Sequence, residues 1–132
     1  MKVIGLDGRE YVWAIHQHAV NNRKSSKLHQ HARDILKEIF PFEQILEEVK
    51  LPGSSSPPLW ADFFIPGPRL IIEVHGEQHY KFNNFHFKNK MEFFKAKARD
   101  NKKIEWCELN DIEVISLSYK EKDQWKKQIQ DR

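Results

Sequence analysis

The feature that most constrains the fold is the run at residues 70–75, Leu-Ile-Ile-Glu-Val-His. A short, densely apolar run between turn residues is typical of a strand that is covered on both faces. Such a strand requires neighbouring strands in a sheet and helices packed on that sheet. Glu73 and His75 interrupt the run, and burying ionisable groups without partners costs several kcal/mol. The run therefore predicts a central strand with a polar site at its end.

The segment before this strand predicts a hairpin and then a helix. Residues 2–14 are interpreted as two short strands around Asp7-Gly8, because both residues tolerate the positive φ of a tight turn. Ser25 and Ser26 precede a helical pattern that ends at Pro41. One face of this helix is predicted to be apolar, with Leu28, Ala32, Ile35, Leu36 and Ile39.

The remaining patterns predict further strands at 45–51, 59–65 and 112–117, and a second helix over about 85–109. Asn110 is predicted to end that helix in a left-handed conformation. Trp106 and Cys107 are predicted to pack in the core, and the helix has an apolar face with Phe87, Met91, Phe94 and Ala98. The fold class is α/β (α+β), a mixed β-sheet flanked by helices.

The length of 132 residues fits a single domain. Within it we distinguish an N-terminal β-hairpin extension at 1–24, a core at 25–119 and a polar C-terminal tail at 120–132. The single cysteine, Cys107, excludes an internal disulfide and a multi-cysteine zinc site, and it fits a reducing compartment. No membrane span or signal peptide is predicted, so we expect a cytoplasmic protein in a bacterial or phage-infected cell.

The net charge is only +3, but basic residues outnumber acids strongly between residues 88 and 103. Such an excess can neutralise phosphates, although an ordinary solvated helix face has the same composition. Candidates for nucleic-acid binding are Lys88, Lys90, Lys95, Lys97, Arg99 and Lys103, with Gln78 as a further polar contact.

Two acids are the candidate metal ligands. Asp62 and Glu73 lie on successive predicted strands, and their oxygens suit Mg²⁺, which prefers one or two carboxylates together with water and phosphate. His75 or His79 is a candidate for proton transfer, because imidazole titrates near neutral pH. The alternative is that an acid at the sheet end pairs with a basic side chain such as Arg99 or Lys103.

The block from Asp62-Phe-Phe-Ile-Pro66 to Ile72-Glu-Val-His-Gly-Glu-Gln-His-Tyr80, followed by Arg99-Asp100, resembles the PD-(D/E)XK nuclease superfamily. Within it the chain is most similar to the very short patch repair (Vsr)-like branch, which includes the EDxHD homing endonucleases. The resemblance covers residues 26–117 and is specific between residues 62 and 80. It implies a restriction-endonuclease-like fold, a Mg²⁺ cofactor that Mn²⁺ can replace, and hydrolysis of double-stranded DNA.

The resemblance also implies roles for individual residues. Asp62 and Glu73 match the family's metal-binding acids. His75 replaces the lysine of the usual motif, which implies a lysine-free mechanism. His79 matches a second histidine, and Asp100 matches an acid that orients the histidines.

The family's first acid is the ambiguous position. Its usual place on the helix holds His29, so Glu47 and Glu48 are the candidates, and we favour Glu48. The other histidine signals do not complete a metal pattern. We interpret His16, His18, His29 and His31 as surface residues.

Two other functions remain open from the sequence. One is a structure-specific resolvase or an RNA nuclease, and the other is a catalytically silent nucleic-acid-binding domain of the same fold. The leading hypothesis is a DNA endonuclease, and the absence of a motif lysine and of a helix glutamate keeps the silent domain open as an alternative. The DNA target, nicking against double-strand cutting, and monomer against homodimer are not decided by the sequence.

Overall fold

The computed structural model describes residues 1–15, 26–76 and 90–132. The chain begins with two strands, β1 (Lys2–Ile4) and β2 (Glu10–Val12), which form a two-stranded antiparallel sheet. Gly8 has φ +81 in the turn between them, as the Asp-Gly pattern predicts. Helix α1 (Lys27–Ile39) follows, and then strands β3 (Leu46–Leu51), β4 (Leu59–Ile65) and β5 (Leu70–His75).

Helix α2 (Lys90–Leu109) and strand β6 (Glu113–Ser118) complete the main sheet, which has the order β3-β4-β5-β6. The pairs β3–β4 and β4–β5 are antiparallel, whereas β5–β6 is parallel and needs the long connection that contains α2. The predicted mixed sheet with flanking helices is confirmed, and β5 lies inside it. None of the helices among the described residues is long and apolar enough to cross a membrane.

Two hydrophobic clusters lie on the two faces of this sheet. In β5, Leu70 and Ile72 belong to the cluster that contains α1, while Ile71 belongs to the cluster that contains Trp106 and Cys107 of α2. Because successive strand residues face opposite sides, α1 and α2 cover opposite faces. The predicted burial of Trp106 and Cys107 is confirmed.

Helix α1 forms as the sequence predicts. The Ser26 side chain accepts a hydrogen bond from the His29 backbone N–H at 3.2 Å, which caps the first turn. The apolar stripe buries Ala32, Ile35 and Leu36 against the sheet.

The predicted apolar face of α2 is wrong for its described residues. Met91 and Phe94 are 62% and 61% exposed, and Ala98 is also exposed. On this side of the sheet the hairpin already covers the strands: Trp13 stacks on Phe64 with ring centroids 4.8 Å apart. Only the C-terminal part of α2 therefore contributes buried residues. The predicted residues 85–89 of this helix lie outside the described ranges.

The end of α2 also differs from the prediction. Asp111 has φ +54, whereas Asn110 stays outside the left-handed region. The Asn110 side chain instead receives a hydrogen bond from the Ile4 N–H at 2.7 Å and donates to the Ile4 carbonyl at 2.9 Å. Asn110 thus joins the helix end to the hairpin.

The core extends beyond the predicted range of 25–119 at both ends. Val3 and Trp13 of the N-terminal segment are buried in the α2-side cluster. The predicted polar tail contains a 3₁₀ turn (Tyr119–Gln124) and helix α3 (Trp125–Gln130), with Trp125 and Ile129 buried. Their spacing of four residues is helical, so this segment is amphipathic.

Candidate metal and nucleic-acid site

Three carboxylates stand on neighbouring strands at one level of the sheet. The pairs Glu47–Phe63 and Val49–Ala61 place Glu48 opposite Asp62, and the pair Phe63–Ile72 places Asp62 opposite Glu73. Regular pairing between β4 and β5 ends at Phe63, so the acids lie where these two strands stop exchanging ladder hydrogen bonds. The sheet itself therefore brings together three acids that are far apart in sequence.

The backbone is irregular at this level. Glu48 has φ +54, a conformation that costs a non-glycine residue on the order of 1–3 kcal/mol. Leu46 and Val49 pack in the same hydrophobic cluster although they are three residues apart, and so do Ala61 and Phe64. Residues three apart in a regular strand face opposite sides. The alternation thus shifts in both strands between these positions, where the acids are located.

Side chains replace the missing ladder bonds between Asp62 and Glu73. The Asp62 N–H donates to Glu73 Oε2 at 2.8 Å, and the Val74 N–H donates to Asp62 Oδ2 at 2.8 Å. Both carboxylates are therefore held in fixed orientations at the end of the paired region. An oriented carboxylate is a better metal ligand than a freely rotating one, because binding then removes less conformational entropy.

Asp62 also lies close to Glu48 and to a histidine of α1. One ligand atom from each of His29, Glu48 and Asp62 lies within 4.8 Å of the other two, and His29 Nε2 is 3.8 Å from Asp62 Oδ1. Among the described residues, these three form the group whose geometry can hold a metal ion. Glu48, favoured from the sequence over Glu47, belongs to this group.

Glu47 is engaged elsewhere. Arg33 donates to it from both Nε and Nη2, at 2.9 and 2.7 Å, in a two-point ion pair. The pair raises the pKa of Arg33 through the hydrogen bond to Glu47. Since Arg33 and His29 are four residues apart on α1, one helix face contacts both Glu47 and the metal-ligand group.

The interpretation of His29 as a surface residue is wrong. Its side chain is 17% exposed, and its ring lies 4.8 Å from that of Phe63. A signal for this was present, because His29 precedes Ala32 by three residues and Leu36 by seven and so lies on the buried stripe. His31 packs beside Trp125 with ring centroids 5.3 Å apart, while His16 and His18 lie outside the described residues.

Glu73 does not share the metal-ligand group with Asp62. It is 4% exposed, and its Oε1 accepts a hydrogen bond from Lys103 Nζ at 2.7 Å. Asp62 therefore lies beside His29 of α1, and Glu73 binds Lys103 of α2, on the other face of the sheet. The pairing of Glu73 with Lys103, one of the two basic partners predicted as the alternative, is present.

The electrostatics of this pair reflect its burial. Desolvation and the nearby charge of Asp62 raise the pKa of Glu73 to about 7, while Lys103 acts in the opposite direction. Burial by itself lowers the pKa of Lys103, but Glu73, Asp62 and Asp100 together raise it above its ordinary value. Lys103 is therefore protonated at neutral pH. The motif has His75 where a lysine is usual, and here a lysine of α2, Lys103, contacts Glu73.

The structure places the other predicted residues as follows. His75 ends β5 and pairs with Ser118 of β6, two residues beyond Glu73. Asp100 lies three residues before Lys103, and its charge helps to raise the pKa of that lysine. His79, Gln78 and Lys88 lie outside the described residues.

A cleft of about 800 Å³ lies between the loop before β4 and one side of α2. Four of the predicted nucleic-acid-binding residues line it, namely Lys95, Lys97, Arg99 and Lys103. Lys90 is exposed at the first turn of α2 and is outside this lining. Lys103 joins the cleft to the carboxylates, because it lines the cleft and also binds Glu73.

Comparison with known proteins identifies two viral relatives. The chain is 37% identical over 62 residues to uncharacterized protein 307L of Invertebrate iridescent virus 6, a match that covers 47% of this chain and 32% of that protein. It is 36% identical over 58 residues to uncharacterized protein 033L of Invertebrate iridescent virus 3, covering 44% of this chain and 30% of that protein. The chain thus spans about a third of the length of these relatives. No protein-family model and no solved structure matches it.

Proposed function

We propose that this chain is a metal-dependent DNA endonuclease that hydrolyses phosphodiester bonds. The observation that carries the proposal is the grouping of His29, Glu48 and Asp62 within 4.8 Å, beside Glu73, which binds Lys103 of the basic cleft on the other face of the sheet. A divalent cation and a polyanionic backbone are the two ligands that these surfaces favour. Phosphodiester hydrolysis is a reaction that uses both.

The donor set fits Mn²⁺ at least as well as Mg²⁺. Both cations accept carboxylate oxygens such as those of Glu48 and Asp62, but an imidazole ligand such as His29 is better tolerated by the transition metal. When bound, such a cation polarises a phosphoryl oxygen and increases the acidity of a coordinated water. We therefore expect activity with Mg²⁺ and higher activity with Mn²⁺.

The protein's own groups have distinct roles in this proposal. Asp62 is oriented by the Val74 N–H and serves as a ligand on the side of α1. Lys103 is held by Glu73 at the wall of the cleft, where its positive charge attracts a phosphate. His75 is the proposed base that takes a proton from the attacking water. The water oxygen bonds to phosphorus, the bond to the leaving oxygen breaks, and the leaving oxygen takes up a proton from solvent to become a hydroxyl group.

The proposed substrate is double-stranded DNA. Because the two relatives are viral proteins, we place the activity in a virus-infected cell, with the cytoplasm as the proposed compartment. The alternative is a silent nucleic-acid-binding domain, and one contact favours it: the ion pair with Lys103 occupies an oxygen of Glu73. Both functions require the cleft to bind nucleic acid, but only the nuclease requires the acids to bind a metal ion.

The test is cleavage of supercoiled plasmid DNA with Mg²⁺, Mn²⁺ or EDTA, for the wild type and Asp62→Asn. Asparagine keeps an oxygen that can accept the Val74 N–H but removes the anionic ligand. We expect Asp62→Asn to reduce cleavage by about a thousandfold or more, because the cation contributes several kcal/mol to transition-state stabilisation. Calorimetric titration with Mn²⁺ provides a readout that does not require activity.

The matched control is Asp34→Asn, which removes an exposed acid of α1 and should leave both cleavage and Mn²⁺ binding unchanged. A wild type that binds DNA but cuts none with either cation would overturn the nuclease proposal in favour of the silent domain. Equal Mn²⁺ binding by wild type and Asp62→Asn would show that Asp62 is not part of a metal site.

A further inference from the structure

The cleft beside α2 has two chemically different walls. One wall is the segment Ser55–Trp60, which contributes Pro57, Pro58 and the indole of Trp60. The other wall is Phe93–Lys103 of α2, which contributes most of the charge. An apolar, ring-bearing wall facing a cationic wall matches a ligand that has flat apolar groups on a charged chain.

Trp60 is unusual among the residues of β4. Its neighbours Leu59 and Ala61 are buried, whereas Trp60 is 38% exposed at the cleft. Lys50 of β3 holds its ammonium 5.3 Å from the centre of the Trp60 ring. This contact fits a cation–π interaction, which fixes one side of the indole and leaves ring surface at the cleft.

The charge of the opposite wall suits a polyphosphate chain. One acid, Asp100, lines the cleft. Five cations line it as well: Lys95, Lys97, Arg99, Lys102 and Lys103. Phe93 lies among these cations, with Lys97 Nζ 5.7 Å from its ring centre. Aromatic rings interleaved with cations are the combination that binds single-stranded nucleic acids, through base stacking and phosphate contacts.

We propose that this cleft binds a single-stranded polynucleotide segment, with a base stacked on Trp60 and phosphates on the cations of α2. This deepens the proposed nuclease function, on which it rests: the substrate remains double-stranded DNA, and a locally unpaired strand of it is the part that enters the cleft. The size of the cleft favours a single-stranded nucleic acid over a duplex. Clefts of roughly 300–1,000 Å³ enclose molecules of drug size, which is the scale of one or two nucleotides. A duplex covers the rim of such a cleft, and its stacked bases do not reach Trp60.

The experiment measures binding without cleavage, on the full chain in EDTA. Fluorescence anisotropy is recorded with labelled oligo-dT, oligo-U and a mixed-sequence duplex of equal length. The wild type is expected to bind a single strand more tightly than the duplex, and the dT and U arms distinguish DNA from RNA as the source of the strand. Trp60→Ala should weaken single-strand binding by about 5- to 150-fold, the range for loss of one stacked base.

Two variants separate stacking from folding. Trp60→Phe keeps an aromatic face and should retain most of the affinity, while any quenching of tryptophan fluorescence on binding should decrease. Phe42→Ala removes a 99% exposed aromatic outside the cleft and should leave the affinity unchanged.

Equal affinity of Trp60→Ala and wild type for every oligonucleotide would overturn the proposal, and so would tighter binding of duplex than of either single strand. Neither result depends on catalysis. Single-strand binding without plasmid cleavage would support this proposal while contradicting the nuclease, so the two failures are distinguishable.

Discussion

Helices α1 and α2 lie on opposite faces of one sheet, and they use their residues differently. The shorter helix, α1, buries Ala32, Ile35 and Leu36, while the longer α2 buries only Trp106 and Cys107 near its C-terminus. Helix α1 thus fixes the position of the carboxylates through the core. Most of α2 is not buried, and its cations line the cleft. We therefore regard α1 as the helix that stabilises the site and α2 as the helix that faces the ligand.

The largest effect expected from this comparison is on stability. Leu36→Ala, at a position with no exposed surface, should lower the free energy of unfolding by about 2–5 kcal/mol, because it leaves a cavity between α1 and the sheet. Phe94→Ala on α2 should change it by no more than about 0.5 kcal/mol, since Phe94 is 61% exposed. Urea unfolding measures both values. A larger loss for Phe94→Ala than for Leu36→Ala would reverse the assignment of the two helices.

A smaller effect concerns the buried pair of Glu73 with Lys103 of α2. The pKa of Glu73 is about 7 in the folded protein, against an ordinary value of 4.5. The folded state therefore binds this proton more tightly than the unfolded state. The resulting stabilisation is present below pH 4.5 and is lost as the pH rises through 7. Its upper limit is about 3 kcal/mol, from the difference between the two pKa values.

We expect the stability of the wild type in EDTA to fall from pH 5 to pH 8 relative to that of Glu73→Gln, which cannot ionise. Urea denaturation at several pH values gives the two slopes. Glu105→Gln, an exposed change on α2, the helix that carries Lys103, should keep the wild-type slope. Parallel curves for wild type and Glu73→Gln would show that Glu73 stays ionised beside Lys103 throughout this range.

The smallest effect expected is on DNA binding by exposed cations of α2. The double variant Lys95→Gln/Lys97→Gln should weaken duplex binding without changing stability, and the salt slope should fall by about one for each phosphate that the protein no longer neutralises. Lys37→Gln, on the exposed surface of α1, is the matched control and should bind like the wild type. Anisotropy at several salt concentrations measures the slopes. An equal weakening by Lys37→Gln and by the α2 double variant would mean that net charge, and not the cleft, attracts DNA.

Periodicity predicted the elements whose burial follows a simple pattern. The strands at 59–65 and 70–75 and the apolar stripe of α1 match the structure, because alternation and the i, i+4 spacing are local properties of the chain. The same reasoning failed for Met91 and Phe94. Whether a helix face is buried depends on what already covers the sheet, and here Trp13 of a distant hairpin does so.

The candidate site shows the same division. The sequence identified Asp62, Glu73 and Glu48 as acids of one candidate site. The sequence did not decide whether Glu47 or Glu48 belongs to the site. That depends on the ion pair of Glu47 with Arg33 and on the left-handed φ of Glu48. It also assigned His29 to the surface, although the helix face that holds it lies against Phe63 and Asp62.

The sequence by itself determined the kinds of element, their order and the strands that carry the acids, since each follows from side-chain spacing along a short segment. The tertiary structure alone decided which atoms meet. It brought His29 to Asp62 and Lys103 to Glu73, because strand register and helix docking set distances between residues remote along the chain.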